Sequence, residues 1–180
     1  MNILENYYRK VIQRDLINKF SYTRLEEIPR LKKIILNFGC KSSEIKTVAL
    51  ALLTLELITM KQGSLVKSKR PNVVLKIRKG NPVGCLVVLR NTAMYSFLSK
   101  LLSEVFPNLK SFTGITVSKK LGGPNFSFTL KDLITFKELE RQFYLFTNLP
   151  PLNVTLVTNA KTKQELVYLL FSFKLTLTTK

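Results

Sequence analysis

Helix-type and strand-type hydrophobic patterns follow one another irregularly along this chain of 180 residues, and their order restricts the fold more than any other feature. Apolar residues recur every four positions from Leu4 to Phe20, which predicts a first helix of about five turns. Alternation of apolar and polar residues predicts strands instead. The predicted strands are Leu31–Phe38, Leu65–Lys67, Val73–Arg78, Val83–Leu89, Phe126–Leu130 and Val154–Thr158.

Three further helices are predicted from apolar faces that follow polar capping residues. Ser42 or Ser43 can cap the second helix, and Thr92 can cap the third. Thr162 and Glu165 form the capping box of the last. The apolar faces are Ile45, Val48, Ala49, Leu52 and Leu53 in the second helix, Met94, Phe97, Leu98, Leu101, Leu102, Val105 and Phe106 in the third, and Leu166, Leu169, Leu170 and Phe173 in the last.

Hairpins between these elements, rather than regular strand–helix–strand units, favour an α+β fold. We predict a single domain over residues 1–180, in which helices pack on one face of an antiparallel sheet and leave its other face free to bind. The loose pattern from Ser111 to Pro124 predicts a long loop.

A basic hairpin is predicted in the middle of the chain. The strand Val73–Arg78 alternates, so that its apolar residues face one side and its two cations the other. The turn from Lys79 to Pro82 then directs a protruding basic tip away from the sheet. Gly80 and Gly84 could either cradle a phosphate through their N–H groups or serve a tight hairpin.

A stretch of 47 residues, from Leu57 to Ser103, contains no acid. The whole chain has 29 Lys and Arg against 11 Asp and Glu, a formal net charge of +18, which is more than solubility requires. These features predict an anionic partner, either nucleic acid or an anionic membrane. The nine cations of the stretch are Lys61, Lys67, Lys69, Arg70, Lys76, Arg78, Lys79, Arg90 and Lys100.

Residues for covalent or metal chemistry are scarce. The chain has no histidine and only two cysteines, Cys40 and Cys85, so neither a zinc site nor a Cys/His nucleophile is expected. Glu138 and Glu140 are a candidate carboxylate pair, but a solvated edge explains them more simply. We therefore predict no enzyme activity, no cofactor and no metal, with an RNA-acting enzyme as the competing class.

No membrane span is predicted, because the longest apolar stretch, Val48 to Met60, has 13 residues including Glu56, whereas a span needs about 20. The first 20 residues contain Glu5 and Asp15, which targeting peptides avoid, so we assign them to the domain. A peripheral membrane protein would carry its charge on a helix, not on strands and a turn. RNA fits better, because cations on strands and loop tips can follow a phosphate backbone.

Four segments, in order along the chain, resemble motifs of the ribosomal protein L-five family of the large subunit, the universal 5S rRNA-binding protein. Ile28–Gly39 is similar to its first-strand motif, which runs from V-P-R to L-N-M-G, and Lys76–Cys85 to its F-K-I-R-x-G-x-P-I-G-C hairpin. Gly122–Glu138 resembles its G-x-G-N-[YF]-S segment ending in F-P-E, and Asn159–Thr162 its T-A-K-[ST] segment. The resemblance covers residues 7–173.

This resemblance implies a structural role, with docking of 5S rRNA in the central protuberance, a hairpin loop sent toward P-site tRNA, and contact with small-subunit protein S-thirteen in an intersubunit bridge. Large-subunit rRNA and neighbouring central-protuberance proteins are further implied partners. A basic RNA chaperone outside the ribosome is an additional alternative. The implied 5S rRNA-binding residues are Asn37, Lys67, Lys69, Arg70 and Arg90, and the implied tRNA-facing hairpin residues are Lys76, Arg78, Lys79, Gly80 and Asn81.

The chain also departs from the family pattern. The family's G-Q-K-P reads Met60–Gly63 here, its T-K-A-R reads Val66–Lys69, and its V-T-L-R-G reads Val87–Asn91. The segment Glu138–Leu152 has drifted further. A composition poor in alanine and rich in lysine, asparagine and isoleucine, without a transit peptide, favours an organelle-encoded protein of the mitochondrial matrix, with the bacterial cytoplasm or plastid stroma as alternatives.

Overall fold

A computed structural model describes residues 2–40, 44–109, 114–117, 124–140, 143–146 and 148–179. The strands are β1 (Leu31–Gly39), β2 (Ser64–Lys67), β3 (Pro82–Leu89), β4 (Ile115–Val117), β5 (Asn125–Leu130), β6 (Leu152–Thr158) and β7 (Leu177–Thr179). The helices are α1 (Ile3–Tyr7), α2 (Gln13–Lys19), α3 (Ile45–Thr59), α4 (Asn91–Lys100), α5 (Phe106–Asn108), α6 (Lys137–Glu140), α7 (Phe143–Phe146) and α8 (Lys163–Ser172). A π-helical turn (Tyr8–Ile12) joins α1 to α2, and another (Leu101–Val105) joins α4 to α5.

Five strands form one antiparallel sheet in the order β2-β3-β1-β6-β5, with helices packed on it, which confirms the α+β prediction. The strands β4 and β7 form a separate parallel pair. β4 shows that the predicted loop from Ser111 to Pro124 is wrong at residues 115–117, and most of the remainder of that loop lies outside the described residues.

The chain divides into two compact units. Unit 1 comprises residues 1–34, 89–128 and 155–180, and unit 2 comprises residues 35–88 and 129–154. The prediction of one domain over residues 1–180 stays a prediction.

Burial alternates along the central strands of the sheet. In β6, Leu152, Val154 and Leu156 are buried, and the residues between them are partly exposed. In β1, Leu36 and Phe38 are buried in the same way. Because successive strand residues point to opposite faces, one face of the sheet lies against the core and the other is accessible, as predicted.

The predicted strand Val73–Arg78 is wrong. The segment forms a turn closed by two backbone bonds of 2.9 Å between Asn72 and Ile77, and the N–H of Leu75 donates to the side-chain oxygen of Asn72 at 3.3 Å. Asn72 therefore offers the backbone a turn in place of a ladder. Residues 68–81 connect β2 to β3, which pair with each other antiparallel, and we call residues 71–81 of this connection the basic loop.

Two helix predictions also need correction. In α3 the buried residues are Val48, Ala51, Thr54, Leu55 and Ile58, whereas Ile45 and Leu53 of the predicted face are exposed. Thr54 can be buried because its hydroxyl donates to Leu50 O at 2.7 Å. Arg90, not Thr92, is the N-cap residue of α4. Ser42 and Ser43 lie outside the described residues. The predicted capping box at Thr162 is confirmed in α8.

Candidate nucleic-acid interface

Lys67, Lys69 and Arg70, which we call the edge cluster, lie at and just beyond the end of the edge strand β2. All three are exposed, and among the described residues no carboxylate forms an ion pair with them. Lys67 pairs with Pro82 across a register shift, which puts it on the same face as Gly84 and Leu86. This is the accessible face of β3, since Cys85 and Val87 are buried on the other.

Asn37 is half-buried and lies on the accessible face of β1, between the buried residues Leu36 and Phe38. Asn37 and the edge cluster both belong to unit 2, so this unit contains four of the five predicted 5S rRNA-binding residues. Arg90 belongs to unit 1, where it is exposed directly before α4.

In the basic loop, the cations are exposed to solvent, and the residues at its end form hydrogen bonds that close its base. Lys76, Arg78 and Lys79 are exposed. Gly80 and Asn81 lie at the base of the loop, because Gly80 N–H donates to Ser68 O at 2.9 Å and Ser68 N–H donates to Asn81 O at 2.8 Å. The prediction that Asn81 occupies the hairpin tip is therefore wrong in placement.

The tip of the basic loop is apolar, which the sequence patterns did not predict. Val73 and Val74 are each 90% exposed. Ile77, in the same loop, is buried, with 8% of its surface exposed. The available signal was Pro71-Asn72, a pair typical of turns, immediately before the two valines. The loop thus offers two exposed apolar side chains next to three exposed cations.

Polar side chains on the accessible face of β5 and β6 were also missed. Within unit 1 the hydroxyls of Ser127 and Thr155 are 3.0 Å apart, and within unit 2 Thr129 donates to Asn153 Oδ1 at 2.9 Å. Cross-strand pairs of this kind stabilise a sheet while leaving hydrogen-bonding capacity for a ligand. The alternation of Ser and Thr with Phe in β5 was the signal for them.

The two glycines of the hairpin motif have different roles. Gly80 has φ +91, in the left-handed region, and no heavy atom lies within 4 Å of a Cβ built on it. At Gly84 a Cβ would overlap the carbonyl oxygen of Phe38 in the neighbouring strand. Gly84 therefore permits close approach of β3 and β1, and Gly80 permits a left-handed turn. Both glycines thus have a backbone role that does not require a bound phosphate.

The cysteines do not form a reactive centre. Burial raises the pKa of Cys85 to about 11, and the thiol donates to Val48 O at 3.3 Å. Burial also raises the pKa of Cys40. Both thiols are thus overwhelmingly protonated at neutral pH, and a thiol is a weak nucleophile in that state. Glu138 and Glu140, the candidate carboxylate pair, lie on the short helix α6.

The described part of the chain contains neither a metal-binding cluster nor a membrane-spanning helix. No group of three or more potential metal ligands occurs there. No described helix is both long and apolar enough to cross a membrane.

Comparison with known proteins gives consistent matches. Residues 82–177 match the model of the C-terminus of the ribosomal L5 protein family. The chain is 38% identical over 179 residues to large ribosomal subunit protein uL5m of Reclinomonas americana, with 98% of each chain covered. It is 36% identical over 173 residues to large ribosomal subunit protein uL5 of Nitrosomonas europaea, with 95% of this chain and 96% of the relative covered. The corresponding protein of Malacoplasma penetrans is 34% identical over 171 residues, with 94% of this chain and 90% of the relative covered.

Proposed function

The chain belongs to the L5 family of large-subunit ribosomal proteins, and on that premise we propose that it binds 5S rRNA in the central protuberance and contacts P-site tRNA through its basic loop. It is a constituent of the large ribosomal subunit, so ribosomal RNA and ribosomal proteins are its partners. The 5S rRNA and the tRNA are the specific partners that this proposal adds.

The observation that carries the 5S rRNA proposal is the edge cluster. Lys67, Lys69 and Arg70 are exposed and unpaired within the described residues, beside an accessible sheet face that carries Asn37. Binding of lysine and arginine to phosphates is favourable because it releases counterions. The free energy of binding is more favourable when no ion pair with a carboxylate must first be broken. Asn37 adds an amide that can donate and accept on the same face.

The basic loop supports the tRNA proposal by a different combination of groups. Arg78 and Lys79 can bind phosphates, and Val73 and Val74 can pack on ribose or base surfaces that an unpaired or bent RNA exposes. The Ser68 bonds at the base of the loop fix the direction in which it leaves the sheet.

The remaining partners and the location follow the family. We propose contact with small-subunit protein S-thirteen in an intersubunit bridge, contacts with neighbouring central-protuberance proteins, a structural rather than catalytic role, and residence in the mitochondrial matrix. The mitochondrial uL5m relative supports the location, although bacterial relatives have similar identity.

The division of labour can be tested with a loop variant. Changing Arg78 and Lys79 to glutamine should leave the affinity for 5S rRNA within about threefold of the wild type, because non-contacting cations act only through screened, long-range charge. The same variant, assembled into ribosomes, should weaken P-site tRNA binding by about tenfold, since each lost phosphate contact costs several-fold. Filter binding measures both affinities.

The matched control removes two charges from the edge cluster, through Lys67→Gln and Lys69→Gln. It should show the opposite pattern, with weaker 5S rRNA binding. If both double variants reduce 5S rRNA binding equally, the basic loop has no separate role and the division is wrong.

A further inference from the structure

A second group of cations lies in unit 1, around a cavity of about 550 Å³. Its walls come from α1, the π-helical turn that follows, the start of β1 and the start of α4. None of its charged residues belongs to the edge cluster or the basic loop, and only Arg90 is among the predicted 5S rRNA-binding residues. The charged lining residues are Glu5, Arg9, Arg30, Lys32 and Arg90.

The charge of this cavity is strongly positive. Its one carboxylate is already neutralised, because Arg9 Nη2 donates to Glu5 Oε1 at 2.7 Å. Arg30, Lys32 and Arg90 are exposed, and in the ranges that the structure covers no acid forms an ion pair with them. A recess with low-dielectric walls concentrates the field of such groups, so it attracts anions.

The floor of the cavity is rigid. Tyr8 and Tyr95 are 8% and 7% exposed, and their rings lie 6.0 Å and 6.5 Å from the ring of the buried Phe173. The hydroxyl of Tyr8 donates to Pro29 O at 3.0 Å. The elements that present the cations are therefore fixed by packing before any ligand binds.

Arg30 is held in place by Asn159. The side-chain oxygen of Asn159 accepts from Arg30 N–H at 2.6 Å, and its amide nitrogen donates to the carbonyl oxygens of Glu26 and Ile28, each at 3.1 Å. These three bonds fix the backbone on both sides of Pro29. An ordered backbone reduces the entropy that Arg30 loses when it binds a ligand.

A second cavity of about 630 Å³ adjoins the first and shares Arg30 and Lys32 with it. It adds two cations, Arg24 and Lys161. Lys161 Nζ lies 2.7 Å from Glu27 Oε1, and this hydrogen bond lowers the pKa of Glu27, so that carboxylate is ionised and compensated at neutral pH. Glu26 places one exposed carboxylate at the rim.

We propose that the two cavities together form a second RNA-backbone site, centred on Arg30 and Lys32, that holds consecutive phosphodiester groups of one RNA strand. Two recesses that share their central cations suit a chain of phosphates better than one isolated anion. Arginine can bind a phosphate through two parallel N–H bonds, and lysine adds a mobile point charge. The proposal rests on the chain being RNA-bound, but its central residues, Arg30 and Lys32, are ones that the 5S rRNA and tRNA proposals leave unassigned.

The test compares two double variants that remove the same charge from exposed positions of unit 1. Arg30→Gln with Lys32→Gln alters the centre of the proposed site, and Lys10→Gln with Arg14→Gln alters the π-helical turn and α2 outside both cavities. The first should lower the affinity for large-subunit rRNA about tenfold. It should also reduce the magnitude of the slope of log affinity against log salt concentration by about 1.5. The second should change the affinity less than about twofold. Coincident thermal melts by circular dichroism establish that both variants are folded.

Chemical protection of Arg30 locates the contact. Phenylglyoxal modifies exposed guanidinium groups, and bound rRNA should protect Arg30 and Arg90 from it, whereas inorganic phosphate at equal ionic strength should not.

Equal losses of rRNA affinity in the two double variants would show that only net charge matters, and this would overturn the proposal. Protection by phosphate alone would identify a single-anion site, and an unchanged rRNA affinity with impaired subunit assembly would identify a protein contact; either result overturns it as well. This test uses large-subunit rRNA as its probe, so it is independent of the 5S rRNA proposal. A wild-type protein that shows no preference for 5S rRNA would refute the proposed function but would neither support nor refute the site at Arg30 and Lys32.

Discussion

Changing Lys67, Lys69 and Arg70 together to glutamate is expected to weaken binding of 5S rRNA on the order of a hundredfold at about 150 mM salt. In the proposed interface, each change removes one phosphate contact and adds a charge that the RNA backbone repels. Because the three side chains are exposed and unpaired within the described residues, the substitutions leave no buried charge uncompensated. Fluorescence anisotropy with labelled 5S rRNA measures the change.

A charge-matched control separates this contact from the general effect of a net charge of +18. Lys10, Arg14 and Lys46 are exposed and lie on helical segments outside the edge cluster. Changing these three to glutamate gives the same net charge and should weaken binding only about threefold, through screened long-range attraction. A control that binds as weakly as the edge-cluster variant would show that the edge cluster makes no specific contact.

Changing Gly84 to alanine is expected to destabilise the protein by about 2 to 3 kcal/mol, as overpacking does in other cores. The added Cβ would overlap the carbonyl oxygen of Phe38, and backbone, unlike the end of a long side chain, cannot move aside without disturbing the pairing of β3 and β1. The free energy of unfolding, measured by urea denaturation, gives the magnitude.

Gly39 is the matched control. It ends β1, its φ is not in the left-handed region, and no heavy atom lies within 4 Å of a Cβ built on it. The change Gly39→Ala should therefore alter the free energy of unfolding by less than about 1 kcal/mol, in either direction. Equal stability of Gly84→Ala and the wild type would mean that β3 and β1 are not as close as described.

Elements with a strong local signal were predictable from the sequence. The alternation of β1 and β6 and the capping box of α8 are properties of neighbouring residues, and all three are confirmed. The prediction of a strand at Val73–Arg78 failed because six alternating residues are a weak signal for a strand. The side chain of Asn72 accepts from Leu75 N–H and favours a turn instead. The exposed Val73 and Val74 follow from that turn.

One departure from the family pattern has a structural reason. Asn91 stands where the family has the glycine of V-T-L-R-G, and its φ is +52, in the left-handed region. Glycine adopts that conformation without cost, and asparagine tolerates it better than most other residues. Asparagine is thus compatible with the left-handed backbone at the start of α4, next to Arg90.

The candidate site was predictable only in part. The exposure of Lys67, Arg78 and Arg90 follows from their charge and from the lack of nearby acids. The cavities around Arg30 and Lys32 could not be predicted in this way, because their walls come from residues far apart in sequence, from Glu5 to Lys161. Local patterns do not specify which distant cations a fold places around one recess.

The salt dependence of 5S rRNA binding tests the proposed function most directly. Electrostatic contacts to several phosphates predict that the affinity of the wild-type protein falls on the order of a thousandfold between about 50 and 200 mM salt, with 5S rRNA still preferred over an unrelated RNA of the same length. An affinity that hardly changes over this range, or that does not distinguish 5S rRNA from the unrelated RNA, would contradict the proposal that this chain is a 5S rRNA-binding protein.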